Sequence, residues 1–384
     1  MKPCRLPLWS LLVALWLVVP LAGCGGGGSG GEPAGAPLVV QTVPPPAPTA
    51  FADSLPAAGS AGTCAIPVQA QPVAVDQPTT VVGTGTAQSC TSAAVVQAVA
   101  QGGVITFNCG PDPVTITLAE TAKVFNNRPD VVLDGGGKVT LSGGGQRRIL
   151  YQNTCDQNQV WTTPRCDLQT SPTLTLQRIT LIDGQSTGQS YGRNDVLGGG
   201  AVFVRGGQVR VVNARFFNHR TEPDGPDLGG GALRLVGTQS ATVVGSTFGG
   251  TLALGNRSSN GGAISTLVAS LAVYNSAFSH NQTLGSGANP ARSGTLGGGN
   301  GGAIYQDGNA FDLTLCGVTM NDNVATEGGS AVFFVSNNRT GTMSITDSSL
   351  SAHPPGRFET TGLPGFFVLA APGQPVITRS TIVR

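Results

Sequence analysis

Gly261 to Asn281 reads GGAISTLVASLAVYNSAFSHN, and its parts return along the rest of the chain. The segment SLAVYNSAF has counterparts in TLTLQRITL, QVRVVNARF, SATVVGSTF, DLTLCGVTM, TMSITDSSL and QPVITRSTI. In chain order their last residues are Leu181, Phe216, Phe248, Phe278, Met320, Leu350 and Ile382, spaced 30 to 42 apart. Five residues before each of these anchors stands an apolar one: Leu176, Val211, Val243, Val273, Leu315, Ile345 and Ile377. Two positions earlier lie Leu174, Val209, Ala241, Leu271, Leu313 and Met343, with Pro375 in the last unit. Alternation of period two marks a strand with one buried face. Recurrence at this spacing marks an architecture of stacked units.

Three residues before each anchor the alternation breaks, at Arg178, Asn213, Gly245, Asn275, Gly317, Asp347 and Arg379. Gly, Asn and Asp tolerate a left-handed backbone, so a one-residue bend is expected there. The two Arg have no such local preference. The next position is small at Ala214, Ser246, Ser276, Ser348 and Ser380, but not at Ile179 or Val318.

A second motif alternates with the first: GGGAVF, GGGALR, NGGAIS, NGGAIY and GGSAVF. It opens a further strand, with Val202, Leu233, Ile264, Ile304 and Val332 expected in the core. Each repeat then supplies three short strands, bent twice. One such turn cannot bury its own apolar face, whereas turns stacked at about 4.8 Å share a continuous core. The expected fold is all-β: a right-handed, single-stranded parallel β-helix (a β-solenoid) of about nine turns, a rod roughly 40 Å long. Its expected extent is residues 104–384.

Composition agrees with this. Glycine makes up 57 of 384 residues, about 15% against a usual ~7%. Only 11% of residues are charged, with a formal net charge of +1. A coiled coil is excluded, and a nucleic-acid partner is not expected without a basic excess. Collagen is excluded because the glycines come in pairs and triplets.

The N-terminus carries an address. Lys2 and Arg5 precede an apolar run from Leu6 to Leu21, which ends in Leu21-Ala22-Gly23-Cys24. Residues 1–23 are expected to be an export signal. The LAGC run resembles the lipobox of bacterial lipoproteins, which implies acylation of Cys24 and membrane attachment through lipid. Gly25 follows where an Asp would resemble an inner-membrane retention signal, so the outer membrane or surface of a Gram-negative cell is expected. Residues 24–63, rich in Gly, Ser and Pro, are expected to form a tether.

Six cysteines remain: Cys64, Cys90, Cys109, Cys155, Cys166 and Cys316. An even number in an exported chain implies disulfides. Cys90 with Cys109 and Cys155 with Cys166 bracket short segments, leaving Cys64 and Cys316 as the remainder. His219, His280 and His353 are scattered in apparent loops, so zinc has no support. Residues 64–103 are expected to be an N-terminal extension in which Thr91 to Ala100 forms a helix covering the open sheet edges. No cover for the far end is legible.

The runs CTSAAVVQAVAQGGVITFNCGPDPVTITL (residues 90–118) and VVLDGGGKVTLSGGG (residues 131–145) resemble surface proteins of the pectate-lyase-like β-helix superfamily. The repeated GGAI, with FSHN (Phe278 to Asn281) and MNDN (Met320 to Asn323), resembles the repeats of chlamydial polymorphic outer-membrane proteins. The resemblance spans about residues 85–384. It implies the fold, and a sugar-binding groove along the sheet that carries the GGA strands. It also implies a terminal membrane barrel, whose pattern is absent here, so lipid is expected to serve as the anchor.

Outward positions on the GGA strands are Phe203, Arg234, Ser265, Tyr305 and Phe333, with Asp307 beside them. Stacked, they form a candidate ligand-binding stripe walled by the loops 184–198, 217–229, 249–260 and 279–300. Aromatic rings stack on sugar C–H faces, and Arg pairs with carboxylates such as those of uronic acids. Side chains merely covered by these loops are the competing reading. The resemblance implies, for an enzyme, acidic calcium ligands with a basic residue, or paired Asp. No Asp-Asp pair and no Gly-His-Gly occurs, and Asp307 stands alone, whereas glycoside hydrolysis needs two carboxylates. Asp134 and Asp183 read as turn residues. The EPDGPD loop, with Glu222, Asp224 and Asp227, is a weak calcium candidate; otherwise no metal or cofactor is expected. Thr175, Thr242, Thr314, Thr180, Thr247 and Thr319 read as strand surface.

The expected function is a lipid-anchored surface module that binds polysaccharide or serves a structural role, without catalysis. A polysaccharide lyase or glycoside hydrolase using the same groove is one alternative, and an adhesin is another. Oligomeric state is not legible.

Overall fold

The computed structural model describes residues 55–188 and 197–384; the expected signal, Cys24 and most of the expected tether lie outside them. Three parallel sheets of eight, ten and nine strands stack along the molecule. The chain visits them in turn, for example Ile264–Leu267, then Leu271–Tyr274, then Ala277–Ser279, before the next repeat begins. This is the right-handed parallel β-helix that the repeats imply.

Offsets counted along the sequence become rows in space. Val243 pairs with Val211 on one side and Val273 on the other, and Phe248 likewise lies between Phe216 and Phe278. These inward rows are shut from solvent. The three Phe rings stack at 4.7 and 4.8 Å, within 3° of parallel, which is the strand spacing itself.

All seven bend residues are left-handed, with φ between 47° and 66°. The two Arg now have a reason to be there. Arg178 reaches Asp134 at 2.6 Å, and Arg379 pairs through two nitrogens with Asp347 on the preceding turn, both at 2.6 Å. The small residues that follow form a serine ladder. The hydroxyls of Ser246, Ser276, Ser348 and Ser380 accept the amide N–H of Ala214, Ser246, Val318 and Ser348 at 3.0 to 3.1 Å. Each also donates to the carbonyl two residues back.

The paired glycines of the GGA motif do different work. The first (Gly199, Gly230, Gly261, Gly301, Gly329) is left-handed at φ 60° to 72°. The second has no room for a side chain. A Cβ at Gly200, Gly231, Gly262 or Gly302 would lie 2.1 to 2.4 Å from a carbonyl oxygen of the next turn.

The histidines lie outside the strands, as expected, but two of the three are buried. His219 and His353 stand three residues after their anchors, buried in line with Asn256, Asn281 and Asn323. Asn281 donates to Asn323 Oδ1 at 2.9 Å, and Asn256 donates to Asn281 Oδ1 at 2.8 Å, a ladder inside the turn. Their offset from the anchor, shared with Asn281 and Asn323, was the signal for this.

The helix α1, Ser92–Gln101, covers one end, capped by Thr91 Oγ1 accepting Ala94 N–H at 3.2 Å. Val95, Ala98 and Val99 face the core, the i, i+3, i+4 pattern of a packed helix. At the other end Ile377 is 38% exposed, whereas its counterpart Ile345 is buried. Among the described residues no helix is long and apolar enough to cross a membrane.

Residues 55–63, expected as tether, lie instead against the rod. Gly59 N–H donates to Thr247 Oγ1 at 2.9 Å, and Ser60 Oγ donates to the Gly317 carbonyl at 2.6 Å. The chain then runs back along the rod as a strap held by two side-chain amides. Asn275 accepts Cys64 N–H and donates to Cys64 O, both at 2.9 Å. Gln177 grips Val73 in the same two-bonded manner, also at 2.9 Å. Beneath the strap Ala70 packs on Val212 and Val244, beside Ile66 and Tyr274. Disulfides join Cys64 to Cys316, Cys90 to Cys109 and Cys155 to Cys166, with Cα separations of 5.9, 5.6 and 5.0 Å.

Candidate functional site

The expected outward row exists in register. Phe203, Arg234, Ser265, Tyr305, Phe333 and Phe367 pair from strand to strand, continuing from Tyr151. As an open groove, however, it does not hold. Phe203, Arg234, Ser265 and Tyr305 are at most 3% exposed. Arg148, itself buried, lies over the stacked rings of Tyr151 and Phe203. The strand periodicity settled which way these side chains point, and loop cover settled their access.

Arg234 is therefore a supporting residue. Its guanidinium donates to Ser265 Oγ at 2.5 Å and to the main-chain carbonyl of Asp227, pinning the EPDGPD loop over the row. Burial lowers its pKa to about 10, opposed by the nearby Tyr305, Asp227, Glu222 and Asp307.

The EPDGPD loop, the weak calcium candidate, holds its carboxylates apart. Glu222 accepts the N–H of Gly198 and the hydroxyl of Thr221, and the three carboxylates of Glu222, Asp224 and Asp227 do not converge. The acidic groupings that do converge among the described residues are built on disulfide sulfurs, which carry no metal. Asp134 accepts Gly136 N–H at 2.8 Å, the turn role expected of it, and its other oxygen receives Gln177 and Arg178. Asp183 is left-handed and accepts from Asn218 at 2.6 Å.

Near the C-terminal end the row opens into a cleft of about 480 Å³. Phe333, Phe358, Phe367, Val335 and Leu369 form its apolar wall, and Asp227, Asp307, Asn289 and Asn337 its polar side. Phe367 stacks on Phe333 at 5.1 Å and meets Phe358 edge-to-face at 79°, so two rings at a near-right angle line the cleft. Opposite them, Asp307 is not alone. The Tyr305 hydroxyl lies 2.9 Å from Asp307 Oδ2 and 3.1 Å from Asp227 Oδ1. Asn289 donates to Asp227 Oδ1 at 2.5 Å and to Tyr305 Oη at 2.7 Å; Asn337 donates to Asp307 Oδ1 at 2.9 Å.

Burial raises the pKa of Asp307, with the Asp227 charge acting the same way and the Tyr305 and Asn337 hydrogen bonds opposing it. Burial also raises Tyr305 well above 10, so its hydroxyl stays protonated. Asp227 and Asp307 stand 80 residues apart in sequence, and no local pattern joins them. Comparison with family models, curated proteins and solved structures finds no match for this chain.

Proposed function

We propose that the protein is a lipid-anchored surface module whose β-helix carries a polysaccharide-binding cleft at its C-terminal end. The observation that supports this most is the corner of Phe358 and Phe367 set against the carboxylates and amides of Asp227, Asp307, Asn289 and Asn337. Ring faces suit sugar C–H surfaces, and oriented oxygens and amides suit hydroxyls. Attachment through Cys24, a place in the outer membrane, and kinship with the pectate-lyase-like and chlamydial repeat proteins belong to the same proposal.

Binding is favoured over cleavage by the placement of Tyr305. Glycoside hydrolysis needs a scissile oxygen flanked by two carboxylates. Here both carboxylates are tied to one phenol oxygen, which takes up the place a glycosidic oxygen would need.

A glycan array probed with the purified chain tests the reading. Binding to a defined set of oligosaccharides, lost in Phe367→Ala, is the expected result. Release of shortened or unsaturated products would favour an enzyme, and an unreactive array would remove the polysaccharide reading.

A further inference from the structure

The charge of the cleft narrows its ligand. Among the described residues that line it, Asp227 and Asp307 are the charged ones, and both are acids. The nearby cations make no hydrogen bond to these two carboxylates, although the Arg234 charge offsets part of theirs. Arg234 lies buried and does not line the cleft, donating to Ser265 and to a main-chain carbonyl. Arg292 makes two bonds to Glu327 at 2.7 and 2.8 Å, and Arg357 lies 3.7 Å from the same carboxylate.

Hydrogen-bond supply is also one-sided. The Tyr305 hydroxyl has one proton and two carboxylate neighbours, so at any moment one of these contacts lacks a donor. Asn289 and Asn337 already spend N–H groups on the same acids. What the cleft offers is unpaired acceptor capacity beside two aromatic rings at a near-right angle. Carboxylate and ring face together attract a cation, most strongly an ammonium whose C–H surface can rest on the ring. A uronate would instead bring like charge toward two carboxylates.

We propose that the cleft takes an amino sugar carrying an unacylated, protonated amine, set between the Asp227–Asp307 pair and the Phe358–Phe367 corner. This rests on the reading of the cleft as a polysaccharide site and names the class of sugar. It reverses the uronate preference that Arg234 suggests in the sequence.

Calorimetry on the purified chain with glucosamine oligomers, their N-acetylated equivalents and oligogalacturonate tests it. Glucosamine oligomers should bind at least about tenfold more tightly than either competitor, the effect of one added favourable contact. That affinity should fall in high salt, as charge pairing requires. Asp227→Asn and Asp307→Asn should each remove most of the preference. Asp227 is exposed and Arg234 holds it through its main chain, so Asp227→Asn keeps the loop anchored. Equal binding of the free and acetylated oligomers would overturn the ammonium assignment and leave the polysaccharide reading intact. Binding of polylysine with no response to any sugar would overturn the sugar and leave a cation site.

Discussion

The Nδ1 atom of His219 accepts the main-chain N–H of Gly184 at 2.8 Å. Its Nε2 lies 3.1 Å from the Leu181 carbonyl, and because Nδ1 is the acceptor, Nε2 carries the proton. Asn256 does the same one step along, accepting His219 N–H at 3.1 Å and donating to Phe216 O at 3.2 Å. A neutral imidazole thus replaces an amide in the ladder. Burial lowers the pKa of His219 to about 3 and also lowers that of His353. A histidine held below its unfolded value of about 6.5 stabilises the fold fully above that pH, and the contribution is lost as pH falls toward the folded value. Urea unfolding should therefore show stability declining below about pH 6.5. His219→Asn, which can make both ladder bonds in less volume, should cost about 1–2 kcal/mol at neutral pH and flatten the decline. An unchanged slope would show that His219 does not carry it.

Gly231 tests the crowding between turns. A Cβ there would stand 2.2 Å from the Gly262 carbonyl, an atom that cannot swing away. Gly231→Ala should cost about 3 kcal/mol or more, at the top of the overpacking range. At Gly136, where φ is +58° and nothing lies within 4 Å, Ala should cost only about 1–2 kcal/mol of backbone strain. Thermal melts of the two variants would separate these contributions.

Phe248 has a ring on each side, at 4.7 and 4.8 Å. Phe248→Ala should cost about 3–5 kcal/mol, the range for truncating a buried aromatic. Chemical denaturation would measure it.

The strap is held at one point by covalent chemistry and at two by amides. The Cys64–Cys316 bond spans 252 residues of sequence. By chain entropy its removal should cost on the order of 5 kcal/mol. Cys64→Ser combined with Asn275→Ala should release residues 55–65, ahead of the Ile66 and Ala70 packing and the Gln177 grip on Val73, while the sheets remain. Limited proteolysis should then cut within the strap of the variant and spare that of the parent; equal cutting would mean the strap is already loose.

Much of the fold was legible because the β-helix turns sequence offsets into rows. Val211, Val243 and Val273 share a position relative to Phe216, Phe248 and Phe278, and each set stacks in register. The left-handed bends could be read from Asn213 and Gly245, whereas Arg178 and Arg379 needed a partner on another turn. The site was less legible for the same reason. Alternation indicates that Tyr305 points outward, but not that a loop 78 residues earlier closes over it. Nor does any local pattern bring Asp227 to Asp307, or lay residues 55–63 on the rod.

A crystal structure of the protein soaked with its tightest-binding oligosaccharide bears most directly on the cleft. The expected result is a sugar ring against Phe358 and Phe367, with a polar contact to Asp227 or Asp307. A sugar ordered elsewhere on the rod, with this cleft empty, would contradict it.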